Sequence, residues 1–202
     1  MKKLVALVLA LVMVLGISAA FADEYHFEIV SKGFQSTYWQ AVLKGAKEEM
    51  EKINAEGTDT ITMNFVGPDS ESDVAQQVQQ FTSALNAAPA AIGFAAVDQN
   101  AFNDLLNDAL SKKIPIIGFD SGVPGAPEGA VYANASTNNY VAGTVAAEGM
   151  WAKIEARIEA APGTVRIGEV NQDATGESVT QRGLGFIIFL LFPGCKHLVC
   201  HR

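Results

Sequence analysis

The stretch YHFEIVSKGFQSTYWQAVLKGAKEEMEKI, residues 25–53, joins a short apolar run to a long amphipathic one and thereby indicates the fold. Residues 25–30 are typical of a strand. Ser36 or Thr37 can cap the helix that follows, and Gly57 can end it. The apolar residues of this helix recur at steps of three and four and form one stripe: Trp39, Val42, Leu43, Ala46, Met50 and Ile53. A strand followed at once by an amphipathic helix is the repeating unit of a parallel α/β sheet.

The same alternation continues along the chain. Further strands are predicted at residues 61–65, 90–97, 114–120, 131–135 and 164–170, and helices at 74–85, 102–110 and 139–160. The unbroken apolar run at 90–97 is typical of a central parallel strand that is covered on both faces. The pattern predicts an α/β fold: a Rossmann-like parallel sheet lobe with helices on both faces, plus an incomplete second lobe of the same kind.

A loop rich in Gly and Pro, SGVPGAPEG at residues 121–129, separates two blocks of this pattern. We expect a first lobe at residues 23–132 and the incomplete second lobe at 133–187. Residues 188–202 differ in character and are interpreted as a tail.

The first 22 residues are typical of a secretory signal peptide. Lys2 and Lys3 precede an apolar run at residues 4–17, and small residues follow up to Ala22, after which we expect cleavage. The run is shorter than the ~20 residues of a membrane-spanning helix. It has no polar face, which disfavours the alternative of a buried N-terminal helix. The expected location is the periplasm or the extracellular side of the cell envelope.

The composition narrows the classes of partner. The formal net charge is −8 at pH 7, and an acidic exported protein is a poor partner for nucleic acid or anionic lipid. Cys195 and Cys200 are the only cysteines, so no disulfide framework organises the fold.

Ligands of open parallel sheets bind outside the carboxyl ends of the strands. The loops predicted there contain seven candidate ligand-binding residues: Ser36, Tyr38, Trp39, Asp98, Asp120, Asn138 and Arg182. These loops contain no His, and the chain has neither a Gly-rich phosphate loop nor a nucleophile elbow. We therefore expect ligand recognition, with no catalytic residue, no cofactor and no metal ligand.

The side chains of this set suit a neutral polyol. The rings of Tyr38 and Trp39 can cover C–H faces, while Asp120 and Arg182 can form hydrogen bonds with hydroxyl groups. Bonds to charged groups contribute about 1.5–3 kcal/mol each. Two or three of them, with stacking, can reach the roughly 8 kcal/mol of a micromolar complex. The expected ligand is a monosaccharide or a similar polyol.

Three of these candidates also have a structural alternative. Trp39 lies on the apolar stripe and can belong to the core. Asp120 can cap a turn, and Arg182 can be a solvated helix residue. Lys32 and Gln35 are interpreted as surface residues.

Two short motifs suggest other classes of site. FDSG at residues 119–122 matches the Asp-Ser/Thr-Gly signature of aspartic peptidases, but a single copy in an α/β pattern does not supply their paired carboxylates. CKHLVCHR at residues 195–202 contains possible zinc ligands without the loop that usually separates ligand pairs. We interpret both matches as unrelated to function.

Four segments together resemble the periplasmic sugar-binding proteins of ABC transporters, of the ribose- and galactose-binding type with the periplasmic binding protein type I fold. They are VSKGFQSTYWQAVLKGA at 30–46, IPIIGFDSGVPG at 114–125, NASTNNYVAGTVAAEGM at 134–150 and GESVTQRGLGF at 176–186. The resemblance implies that Tyr38 and Trp39 stack on a sugar and that Asp120 and Arg182 bind its hydroxyl groups. It also implies a monomer whose lobes close on the ligand, to be recognised by an ABC permease or a chemoreceptor at the membrane.

The chain departs from this family at several points. Ala95 stands where a polar residue is common, so that Asp98 or Gln99 would supply the contact, and Asn138 replaces an Asp at the lobe crossing. After Ile187 the resemblance ends, which suggests a truncated form, by frameshift or as a gene fragment, with weak or absent sugar binding. The apolar run at residues 186–192 is a candidate aggregation segment if exposed.

Other functions remain alternatives. The chain could be a non-functional gene fragment, or a periplasmic autoinducer- or chemoreceptor-type ligand-binding protein. A periplasmic enzyme that uses Asp120 would need a second carboxylate or a metal nearby. A gene-regulator sensor lobe would need a DNA-binding helix pair where the signal peptide lies.

Overall fold

The computed structural model describes residues 23–191 and the backbone of residues 198–201. Its strands are β1 (Asp23–Val30), β2 (Asp59–Val66), β3 (Ala91–Phe94), β4 (Ile116–Phe119), β5 (Val131–Ala135), β6 (Val165–Gly168) and β7 (Leu198–His201). Its helices are α1 (Thr37–Glu56), α2 (Val74–Asn86), α3 (Asn103–Ser111), α4 (Asn139–Glu159) and α5 (Glu177–Leu191). Strands and helices alternate as far as β4, as the sequence pattern predicts. The predicted signal peptide and the side chains of the CKHLVCHR motif lie outside the described residues.

Five strands form one parallel sheet in the order β2-β1-β3-β4-β5. Val30 at the end of β1 pairs with both Val66 and Phe94, so these neighbouring strands end level with one another. Helices flank the sheet, which confirms the predicted α/β class. Strand β5 pairs with β4, and this sheet therefore extends to Ala135, past the predicted lobe boundary at residue 132. The division into lobes stays a prediction.

The core of the first lobe lies where α2 and α3 cover the central strands. Phe81 of α2 packs edge-on against Phe94 of β3, with ring centroids 4.6 Å apart, and Phe102 lies 4.8 Å from Phe94. All three rings are at most 2% exposed. Each buried ring of this size contributes about 2 kcal/mol through the hydrophobic effect. This packing fixes the strand ends from which the site loops leave.

The elements after β5 form a smaller unit. Strands β6 and β7 pair in parallel, and α4 packs along α5. The two helices approach closely because glycine lies at their crossing. A Cβ added to Gly143 would collide with the carbonyl oxygen of Arg182, and one added to Gly185 with that of Tyr140.

The apolar run that begins at residue 186 forms the last part of α5, up to Leu191. Leu190 is fully buried, whereas Leu191 is 51% exposed. In the part of the chain that the structure describes, no helix combines the length and the hydropathy that a membrane span requires.

Candidate functional site

The loops that follow β1, β2, β3 and β4 meet at the carboxyl edge of the five-stranded sheet. Gln77 of α2, which is fully buried, links two of them. Its Nε2 donates to the carbonyl oxygens of Ser31 and Ala95, both at 2.8 Å, and its Oε1 accepts from the N–H of Val97 at 2.9 Å. A single amide therefore satisfies three backbone groups that would otherwise be buried without partners.

Sequence reasoning missed Gln77, which lies in a polar run of α2. The available signal was its spacing, because Gln77 lies four residues before Phe81 and so on the same buried face of the helix. A Gln on such a face needs hydrogen-bond partners, and backbone groups at the strand ends are the nearest source.

Tyr38 and Asp120 meet at this edge. The Tyr38 hydroxyl, at the start of α1, donates a 2.7 Å hydrogen bond to Oδ1 of Asp120, which directly follows β4. The Tyr38 side chain is 52% exposed, so its ring lines an open mouth. The two groups that the sequence predicts for stacking and for hydroxyl recognition therefore lie together.

The environment of this pair raises the pKa of Tyr38 to about 12. Partial burial is the largest cause, followed by the hydrogen bond to Asp120 and the charge of that carboxylate. The charge of the Arg182 guanidinium, on α5, opposes the shift and lowers the pKa. Arg182 is exposed and forms no ion pair with any carboxylate of the described residues.

Trp39 takes a different position from Tyr38. It is 1% exposed, lies edge-on to Tyr38 with centroids 4.8 Å apart, and packs against Phe119 at 6.2 Å. Its Nε1–H donates to Oε1 of Glu71 at 2.8 Å. In this arrangement Trp39 supports the Tyr38 ring from beneath, which is the core alternative that its place on the apolar stripe left open.

The backbone at Asp120 is left-handed, with φ of 57°. Asp and Asn tolerate this conformation better than other residues with a Cβ. The Asp120 N–H donates to the carbonyl of Ala135 on β5 at 3.0 Å, and this bond fixes the turn. The carboxylate is therefore presented by a tight turn at the end of a central strand.

Three of the other predicted residues make local hydrogen bonds. Ser36 caps α1 by accepting from the N–H of Trp39 at 3.3 Å, as its spacing predicts. Asn138 caps α4 by accepting from the N–H of Val141 at 3.1 Å. Asp98 accepts from the N–H of Asn100 at 2.7 Å. Their contact with a ligand stays a prediction.

The interpretation of Lys32 as a surface residue is wrong, because the side chain is only 2% exposed. Lys32 follows β1, which has β2 on one side and β3 on the other, so the surrounding loops cover it. Gln35 is exposed, as interpreted.

Residues 172–178, which lead into α5, lie across the carboxyl edge of the first sheet. The N–H of Gln99 donates to the carbonyl of Thr175 at 3.1 Å. Oε2 of Glu177 accepts from the N–H of Gly122, and Oγ of Ser121 accepts from the N–H of Ser178, both at 3.4 Å. The segment that leads into α5 is thus hydrogen-bonded to the loops that follow β3 and β4.

Glu71 is a site residue outside the loops that sequence reasoning selected. It accepts from Trp39, as described, and its Oε2 also accepts from Nε2 of Gln172 at 3.2 Å. It lies after β2, so the rule that selected the other loops also covers this one.

A polar cavity of about 280 Å³ lies at the end of β6, lined by Glu169, Asn171, Asp173, Ala174 and Thr180. Oε2 of Glu169 and Oδ2 of Asp173 are buried and have no hydrogen-bond partner among the described residues. They offer two free acceptors at the end of β6.

Comparison with known proteins adds the following similarities. The model of a periplasmic binding protein domain matches residues 27–187. An ABC transporter solute-binding protein from Agrobacterium vitis, solved with bound D-fucose, is similar with a TM-score of 0.74 and 27% identity, over 88% of this chain and 56% of that one. A carbohydrate transporter solute-binding protein from Agrobacterium radiobacter, in complex with D-arabinose, is similar with a TM-score of 0.70 and 28% identity, over the same shares.

A third structure, described as an ABC transporter, LacI family transcriptional regulator from Brachyspira murdochii, is similar with a TM-score of 0.71 and 32% identity, over 88% of this chain and 56% of that one. The chain thus spans about half the length of the solved structures it matches. No curated protein matches it.

Proposed function

We propose, since this chain belongs to the periplasmic binding protein domain family, that it is the exported solute-binding component of an ABC importer and that it binds a monosaccharide or a similar polyol. The observation that carries the proposal is the Tyr38–Asp120 pair, an exposed aromatic ring hydrogen-bonded at 2.7 Å to a carboxylate at the carboxyl edge of a parallel sheet. The D-fucose and D-arabinose found in two similar proteins support the same class of ligand.

The chemistry of binding follows from this pair. A ring such as Tyr38 covers the C–H face of a sugar, and a carboxylate accepts from its hydroxyl groups. A sugar hydroxyl would replace the Tyr38 hydroxyl on Asp120 and so leave the carboxylate satisfied. Arg182 would donate to a hydroxyl or ring oxygen from the α5 side, and the free oxygens of Glu169 and Asp173 would accept from further hydroxyl groups.

Transport rather than turnover is the proposed role. The lobes would close on the sugar, and an ABC permease or a chemoreceptor at the membrane would recognise the closed monomer. Export would use the signal peptide at residues 1–22 and deliver the chain to the periplasm or the extracellular side of the cell envelope. N-terminal sequencing of the exported product is expected to begin at Asp23.

We further propose that this chain binds sugar weakly. The second-lobe sheet as described pairs only β6 with β7, and two strands bury little surface and leave edges unpaired. Arg182 and the cavity at the end of β6 would therefore be held less firmly than Asp120.

Saturation-transfer NMR detects weak binding and tests the ligand class. The full chain is mixed with D-fucose, D-arabinose, D-ribose, D-galactose or D-glucose, and saturation is expected on the ring C–H protons of at least one sugar. Tyr38→Ala should remove the signal and Asp120→Asn should weaken it. Absence of saturation for every sugar would overturn the polyol proposal, and micromolar binding by titration calorimetry would overturn the proposal of weak binding.

A further inference from the structure

We propose that Glu71 is a positioning residue that joins the two lobes across the mouth of the site. One oxygen of its carboxylate accepts a hydrogen bond from Trp39, and the other accepts one from Gln172. The functional meaning of this contact, which we call the Glu71 bridge, rests on the proposed function, because it concerns how the lobes close. The bridge itself can be measured without a sugar.

The two bonds use different atoms of one carboxylate. Oε1 accepts from the indole Nε1–H of Trp39 at 2.8 Å, and Oε2 accepts from the side-chain Nε2–H of Gln172 at 3.2 Å. A carboxylate is an acceptor with two oxygens and can serve both donors at once. Since Trp39 is 1% exposed and supports Tyr38, the bridge connects the floor of the mouth to the segment that leads into α5.

Packing holds the Glu71 side chain in place. A Cβ added to Gly33 would lie 3.0 Å from Cγ of Glu71 and 3.1 Å from Cδ1 of Trp39, so the stem of Glu71 and the indole fill the space over Gly33. A side chain held in this way loses less rotamer freedom when it binds Gln172 than a free surface Glu would.

The strand order makes this contact the one most able to restrain opening. The inter-lobe bonds of Ser121 and Gly122 follow β4, that of Gln99 follows β3, and that of Glu71 follows the edge strand β2. The described chain crosses to α4 directly after β5. At about 4.8 Å per strand, the end of β2 lies roughly 19 Å from β5, whereas the end of β4 lies roughly 5 Å from it. A bond far from a hinge opposes rotation with the longer lever arm.

The test replaces Gln172, which is exposed and can be changed without disturbing the core. Gln172→Glu puts a second carboxylate against Glu71, and like charges at this distance repel. Gln172→Lys offers an ammonium to the same carboxylate and should keep the bridge. Gln79→Glu is the matched control, because it makes the same charge change on an exposed position of α2.

All variants are made in the full chain with Trp151→Phe, which leaves Trp39 as the single tryptophan. Acrylamide quenching of Trp39 fluorescence measures access to the indole, and the radius of gyration from small-angle X-ray scattering measures opening of the lobes. In Gln172→Glu we expect the quenching constant of Trp39 to rise about threefold, which corresponds to the loss of a hydrogen bond of roughly 0.7 kcal/mol. The radius of gyration should also be larger. Gln172→Lys and Gln79→Glu should resemble the parent. Equal quenching in Gln172→Glu and the parent, or an equal rise in Gln79→Glu, would overturn the proposal.

The sugar panel separates this inference from the proposed function. Saturation of sugar protons by the parent, with no change of Trp39 quenching in Gln172→Glu, overturns the Glu71 bridge and leaves sugar binding intact. Raised quenching in Gln172→Glu, with no saturation of any sugar by the parent, supports the bridge and overturns the polyol proposal.

Discussion

The hydroxyl of Tyr38 donates a 2.7 Å hydrogen bond to Asp120, a residue 82 positions further along the chain. The bond joins the first turn of α1 to the end of β4 at the carboxyl edge of the sheet. The Tyr38 hydroxyl is thus bound to the carboxylate that we propose as the acceptor for a sugar hydroxyl. Ligand binding then exchanges one hydrogen bond of the half-buried Asp120 carboxylate for another.

The first prediction concerns the ionisation of Tyr38. The pKa of Tyr38 is raised from 10.0 to about 12. Ultraviolet titration of tyrosinate should therefore show that one of the four tyrosines ionises near pH 12, and this phase should be absent from the Tyr38→Phe variant. Because the pKa is higher in the folded state, the stability that protonated Tyr38 contributes is complete below pH 10 and is lost as the pH rises towards 12. Half of the side chain is exposed, so screening keeps this contribution at about 1 kcal/mol or less.

The control for this titration is Asp120→Asn. It removes the carboxylate charge and keeps a hydrogen-bond acceptor, so the pKa of Tyr38 should fall towards its ordinary value while partial burial still holds it above. An unchanged Tyr38 titration in this variant would contradict the contact with Asp120.

The second prediction separates the charge of Asp120 from its backbone. Asn tolerates the left-handed φ of 57° and Ala does not, so Asp120→Ala should unfold about 1 kcal/mol more easily in urea than Asp120→Asn. Equal midpoints for the two variants would argue against a strained turn. Asp120→Asn is therefore the suitable variant for sugar-binding experiments.

The third prediction concerns Gln77. Gln77→Leu leaves the carbonyls of Ser31 and Ala95 and the N–H of Val97 without their partner, at a cost of about 1 kcal/mol or more for each buried group. We expect the free energy of unfolding to fall by about 3 kcal/mol, measured by urea denaturation. Gln79→Leu makes the same change at an exposed position of α2 and should stay within about 0.5 kcal/mol. A comparable loss in both variants would mean that the amide contacts contribute little.

The fourth prediction concerns the crossing of α4 and α5. Gly143→Ala inserts a methyl group where the carbonyl oxygen of Arg182 lies, so we expect a loss of about 1–3 kcal/mol and poorer positioning of Arg182. Gly149→Ala, on the same helix with open space around it, should instead gain about 0.5–1 kcal/mol from helix propensity. Thermal unfolding of the two variants measures the loss of stability in one and the gain in the other. A stabilised Gly143→Ala variant would contradict the close approach of α4 and α5.

Local patterns predicted much of the fold. The apolar spacing identified the strands and helices, Ser36 and Gly57 marked the ends of α1, and parallel topology directed attention to the loops after the strands. These features depend on residues that are close together in the chain, and they can therefore be predicted from the sequence. The pairing of β5 with β4, which extends the sheet to Ala135, came only from the structure, because strand pairing is a long-range choice that periodicity does not encode.

For the site, sequence alone identified Tyr38 and Asp120 as candidate residues, because an aromatic at a helix start and an Asp after a strand are local signals. Only the tertiary structure decided that Trp39 is buried beneath Tyr38, that Lys32 is covered, and that Gln77 and Glu71 hold the loops and lobes together. Those outcomes depend on which distant groups meet, and burial and hydrogen-bond partners exist only once the chain has brought them together.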